Sequence, residues 1–137
     1  MPALVGADGV IRGPAGNGRV AVVAQDDIAD AAAVVLQDPV THAGRTYELT
    51  GPAPLTLTEV AATLTAVTGR RVTYVPETVE QAYASRAGTG APDWQLDAWV
   101  STYTAIADGS LARVTADVPQ LTGHPATPLE QVLRAAG

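Results

Sequence analysis

The chain has 137 residues, 47% of them hydrophobic, and a formal net charge of −6. That is enough apolar material for a real core, and the acidity argues against nucleic acid or an anionic membrane as a partner. It has no Cys, and all eight of its Lys-plus-Arg residues are Arg. This excludes disulfides, thiolate nucleophiles and cysteine metal sites, and also Schiff-base chemistry, a Walker A lysine and the Tyr-x-x-x-Lys pair of many reductases.

With no Phe, two Trp and four Tyr, the core is expected to be built from Val, Leu, Ile and Ala. No stretch approaches the roughly 20 apolar residues of a membrane helix, and Met1 is not followed by the basic and apolar regions of a signal peptide. Cytoplasm is the expectation.

Residues 1–18 are Gly-rich, show little periodicity and are expected to be irregular. Gly13-Pro14-Ala15-Gly16-Asn17-Gly18 invites a phosphate-loop reading. Its glycines, however, are spaced G-x-x-G-x-G and lead into a strand at 19–24, whereas a dinucleotide loop reads G-x-G-x-x-G and opens a helix. A connecting turn is the better account. A helix is expected next, with Asp27 as N-cap and Ile28, Ala31, Ala32, Val35 and Leu36 on one face, ended by Asp38-Pro39. Asp26, Asp27 and Asp30 admit a divalent-metal reading, but capping and the helix dipole account for all three. His42 and His124 lie far apart in Gly/Pro-rich surroundings, which suits exposed loop histidines better than a metal pair or a base.

The stretch at 44–69 organises the rest. Tyr47 and Leu49 alternate with Thr46, Glu48 and Thr50, the period of a half-buried strand, and Gly51-Pro52 stops it. Thr56 and Glu59 then have the spacing of a capping box. Leu57, Val60, Ala61, Leu64 and Val67 form a helical face, and Gly69 is the expected stop. Residues 71–76 predict a short strand. Thr78 and Gln81 form a second capping box, opening a helix through Arg86. From Asp93 to Asp108, Leu96, Trp99, Val100, Tyr103, Ile106 and Ala107 recur at helical spacing. One helical turn is expected near Pro119, and a last helix from Thr127-Pro128.

Taken in order, these pieces resemble the C-terminal part of an NmrA-like, atypical short-chain dehydrogenase/reductase of the NAD(P)H:quinone oxidoreductase-like subgroup. The resemblance is carried by 18–23 with 26–30, by 44–52, by 57–61 running to 68–70, and by 97–103 running to Gly109, with 121–125 fitting as well. It implies an α/β fold, with about three short strands and five helices in a single domain over 1–137, corresponding to the second half of an extended Rossmann-type reductase. Family members are roughly twice this long, and their first half holds the coenzyme pyrophosphate on a glycine-rich loop. The resemblance therefore assigns no catalytic, coenzyme or metal residue to this chain. It implies NAD(P)H only for the full-length family, together with a quinone-like small-molecule substrate. A substrate-cleft role falls to Tyr83, Trp94, Trp99 and Tyr103. For the aromatics of the 93–108 helix, ordinary core is the competing account. Two functional expectations stand side by side: a substrate-binding part of an oxidoreductase, inactive alone, and a free-standing, non-catalytic binding or regulatory module of the same family. A homo-oligomer is a further expectation, because apolar faces would be left uncovered.

Overall fold

The computed structural model describes residues 4–136; residues 1–3, part of the stretch expected to be irregular, lie outside them. The chain packs as two units, 1–20 with 55–112 and 21–54 with 113–137. Among the described residues the buried hydrophobic side chains are Ala, Val, Leu and Ile, with no aromatic among them.

In the first unit, strand β1 (Val10–Gly13) pairs in parallel with β4 (Thr73–Pro76), with Ile11 opposite Tyr74 and Gly13 opposite Pro76. So 1–18 is not wholly irregular. A strand there needs a partner some sixty residues on, which local periodicity cannot reveal. A parallel pair also requires a long crossover, and much of it is α3 (Leu57–Thr68), which buries Leu57, Val60, Ala61 and Leu64. Its start is the Thr56–Glu59 capping box, with both reciprocal bonds made, and its end is Gly69 at φ 69°. Strand β2 (Arg19–Val20) pairs antiparallel with β3 (Leu55–Thr56). The strand expected at 19–24 is thus only two residues long. Helix α4 (Val79–Arg86) has the second complete capping box, Thr78 with Gln81. A single 3-10 turn, Ala87–Thr89, leads on to α5 (Asp93–Ala107).

The second unit holds α1 (Gln25–Gln37), the short α2 (Pro39–His42), α6 (Asp117–Thr122) and α7 (Leu129–Ala135). The described residues thus form four short strands in two two-stranded sheets and seven α-helices, against three and five expected. The expected strand at 46–50 is not a strand. Side chains bind the backbone of Glu48 instead: Asp117 accepts from Glu48 N at 2.6 Å and the Thr115 hydroxyl donates to Glu48 O, while the Thr50 side chain accepts from Thr115 N at 3.0 Å. Alternation suits a strand, but a ladder needs a neighbouring strand, and none lies beside this segment among the described residues.

Asp27 does not cap α1. The N-cap is Ala24, without a side-chain bond, and Asp27 is 1% exposed. Its two oxygens accept from Thr127 N and Thr127 Oγ1, both at 2.7 Å. Thr127 is therefore occupied, and α7 starts after Pro128 at its N-cap with no side-chain cap. His42 closes α2 rather than lying in a loop, and its Nδ1 is 2.6 Å from the Tyr47 hydroxyl. No helix among the described residues is long and apolar enough to cross a membrane.

Candidate functional site

Strands β1 and β4 run in the same direction, and their carboxyl ends meet a buried turn, Gly13-Pro14-Ala15. The ladder continues one step past the strands, with Glu77 N donating to Gly13 O at 3.1 Å. Tyr74 clips the turn: its hydroxyl donates to Gly13 O at 2.8 Å and accepts from Ala15 N at 3.2 Å. Burial raises the proton affinity of that hydroxyl, and the bond from Ala15 N opposes the rise.

Helix α5 lies against the same turn. A Cβ placed on Gly13 would fall 2.3 Å from Tyr103 Cδ1, and one on Gly18 would fall 2.0 Å from Ile106 O. Glycine is required at both positions because of this approach. The Arg86 guanidinium carbon sits 5.4 Å over the Tyr103 ring centroid, a cation–π distance. Arg86 is itself fixed: it donates to Arg12 O at 2.7 Å and to Ala82 O at 2.9 Å, and pairs with Glu77 at 3.0 Å in a largely buried bridge. Planar guanidinium with several fixed acceptors is a rigid arrangement. Burial pushes the Tyr103 hydroxyl up in pKa, and the nearby charge of Arg86 pulls it down.

The four residues expected at a cleft all lie in this unit. Tyr103 is half-buried, and Trp99, one turn before it, is 38% exposed. Trp94 is 70% exposed. Tyr83, on α4, donates to Asp97 Oδ1 on α5 at 2.8 Å, and that bond raises its pKa. On α5 only Val100 and Ile106 are buried, and the rings of Trp99 and Tyr103 are partly exposed. The structure brings Tyr103 together with Gly13, Glu77 and Arg86, and ties Tyr83 to Asp97. Sequence reasoning missed Gly13, Tyr74, Glu77 and Arg86. Tyr74 sits in a predicted strand and Gly13 in a noted glycine cluster, but nothing local marks an Arg86–Glu77 pair.

Among the described residues no group of three or more His, Asp or Glu side chains could hold a metal. The turn at 13–18 does not have the form of a dinucleotide-binding loop, which opens a helix. It leads into β2, and its N–H groups at Ala15 and Gly18 are bonded internally, to Tyr74 and to Ala15 O.

No family model matches the chain. It is 38% identical over 122 residues to an NAD(P)H azoreductase of Xenophilus azovorans, spanning 89% of this chain and 42% of that protein. It is 35% identical over 123 residues to quinone oxidoreductase 2 of Escherichia coli, spanning 90% and 43%. This chain is related to the NAD(P)H-dependent quinone and azo reductases. It spans less than half the length of the curated relatives it matches. The crystal structure of an NADPH-dependent quinone oxidoreductase from Escherichia coli superposes with a TM-score of 0.86 at 33% identity, over 98% of this chain and 48% of that one. A triphenylmethane reductase from Citrobacter sp., complexed with NADP(H), superposes at 0.82 and 31%, over 95% and 45%. The fold therefore resembles part of a Rossmann-type NAD(P)-binding reductase.

Proposed function

We propose that this chain is the substrate-side part of an NAD(P)H-dependent oxidoreductase of the quinone-reductase type, and that it is inactive alone. Hydride chemistry belongs to the coenzyme, which the residues of this chain do not hold; their part is to receive and orient a flat, quinone-like substrate. The observation that carries this reading is Tyr103. A partly exposed aromatic side chain is held by Gly13 and Arg86 at the carboxyl ends of two parallel strands, the end at which open α/β sheets bind their ligands. Trp99 adds a second, partly exposed ring on the same helix, and Tyr83 on α4 and Trp94 on α5 are further exposed aromatics of the same unit.

A naphthoquinone titrated against a Trp94→Tyr chain tests this reading, because the emission then comes from Trp99 alone. Stacking predicts quenching that saturates with concentration. Quenching that grows linearly without saturation, as from random collision, overturns it.

A further inference from the structure

The chain has four tyrosines. Tyr47 bonds His42, Tyr74 bonds Gly13 O and Ala15 N, and Tyr83 bonds Asp97. The Tyr103 hydroxyl takes a hydrogen bond from Arg86 but has no acceptor for its own proton among the described residues; its ring is half-buried, and that burial raises its pKa. No buried side-chain polar atom among the described residues lacks a partner, so this donor is open to solvent, where a bound oxygen can take the place of water. We propose that the Tyr103 hydroxyl is the hydrogen-bond donor that recognises a carbonyl oxygen of the bound substrate.

The surroundings select the sign of the partner. The nearest charge is Arg86, over the ring, and it makes the phenol a better donor while disfavouring a cationic group beside it. Glu77, paired with Arg86 at 3.0 Å, acts in the opposite sense on the phenol, behind Arg86 in size. An oxygen with available lone pairs fits this environment; an ammonium or a bare hydrocarbon edge does not. The donor is also preorganised, since the ring cannot turn away without leaving Gly13. The role is one of specificity: it separates a ring system that carries a carbonyl from the same ring system without one.

This inference rests on the substrate-side reading above, and the test separates the two. The probes are a naphthoquinone and naphthalene, which share a ring system and differ in the carbonyls. The chain has neither Cys nor Lys, so adducts between the quinone and those side chains do not obscure reversible binding. Dissociation constants are measured in the Trp94→Tyr chain and again with Tyr103→Phe added, with naphthalene read by competition against the quinone. Phenylalanine keeps the ring on Gly13 and under Arg86 and removes only the hydroxyl. Loss of one hydrogen bond predicts that quinone affinity falls about tenfold while naphthalene affinity is unchanged. If Tyr103→Phe leaves both affinities unchanged, or weakens both equally, the donor role is wrong while the site stands. If neither compound binds the starting chain, the site reading fails and the donor role fails with it.

Discussion

Gly13 has no room for a side chain, and that single absence organises the candidate site. The Cβ of an alanine there would meet the Tyr103 ring at 2.3 Å, closer than any relaxed contact. Gly13→Ala must therefore push the ring, the α5 backbone or the end of β1 aside. Overpacking of this kind costs about 1–3 kcal/mol, and urea unfolding should show a stability loss in that range. The variant should also weaken the saturable quinone quenching of Trp99, because α5 carries both rings. Unchanged stability would show that Tyr103 does not rest on Gly13. At this scale the sequence was only partly legible. The glycine cluster and the aromatic helix were both visible, but ninety residues separate Gly13 from Tyr103. Arg86 and Glu77, nine residues apart, are joined only once a strand end and a helix end come together. No local pattern encodes that meeting.

Elements with local causes were legible. The two capping boxes, Thr56–Glu59 and Thr78–Gln81, formed as their spacing required, because every bond in a capping box lies within four residues. Helix α1 shows the opposite case. Asp27 and Asp30 suited a dipole and cap account, yet both also bind residues near 125: Asp27 accepts from Thr127, and Asp30 lies 3.2 Å from His124 Nε2. His124 Nδ1 lies 2.9 Å from Pro125 O. Both ring nitrogens face acceptors, so only the doubly protonated imidazolium donates to both. The Pro125 carbonyl, and then Asp30, raise the His124 pKa. A folded pKa above the unfolded one stabilises the protein fully below the unfolded value, near pH 6.5. That contribution is lost as pH rises through the folded pKa. Urea midpoints at about pH 5.5 and about pH 8.5 should therefore differ more in the parent chain than in His124→Gln, with the parent gaining at the acidic end. An equal pH dependence in the two proteins would remove the His124 link.

At the scale of the whole molecule, the α/β class and the likeness to part of a reductase were readable from motif order, whereas strand pairing was not. The 46–50 segment shows the reason: alternation suits a strand's two faces, and a ladder further requires a neighbour. The same scale decides what the chain binds by itself. A dinucleotide pyrophosphate needs free backbone N–H groups at a positive helix end. Each of the longer helices already carries an acid in its first turn: Asp26 and Asp27 in α1, Glu59 in α3, Glu80 in α4 and Asp93 in α5. In α3 and α4 the capping boxes also occupy N–H groups that an anion would use. A carboxylate at each of these ends repels phosphate, and a net charge of −6 reinforces the repulsion at long range. The turn at 13–18 opens no helix. NADPH titrated into the 137-residue chain, followed by its own fluorescence, should therefore give no saturable change. A micromolar dissociation constant would mean that a phosphate site exists outside the helix ends, and would overturn the division of labour in which this chain handles substrate alone. The same null result is also expected of a free-standing binding module, so the quinone titration distinguishes the substrate-side reading from a module that binds something else.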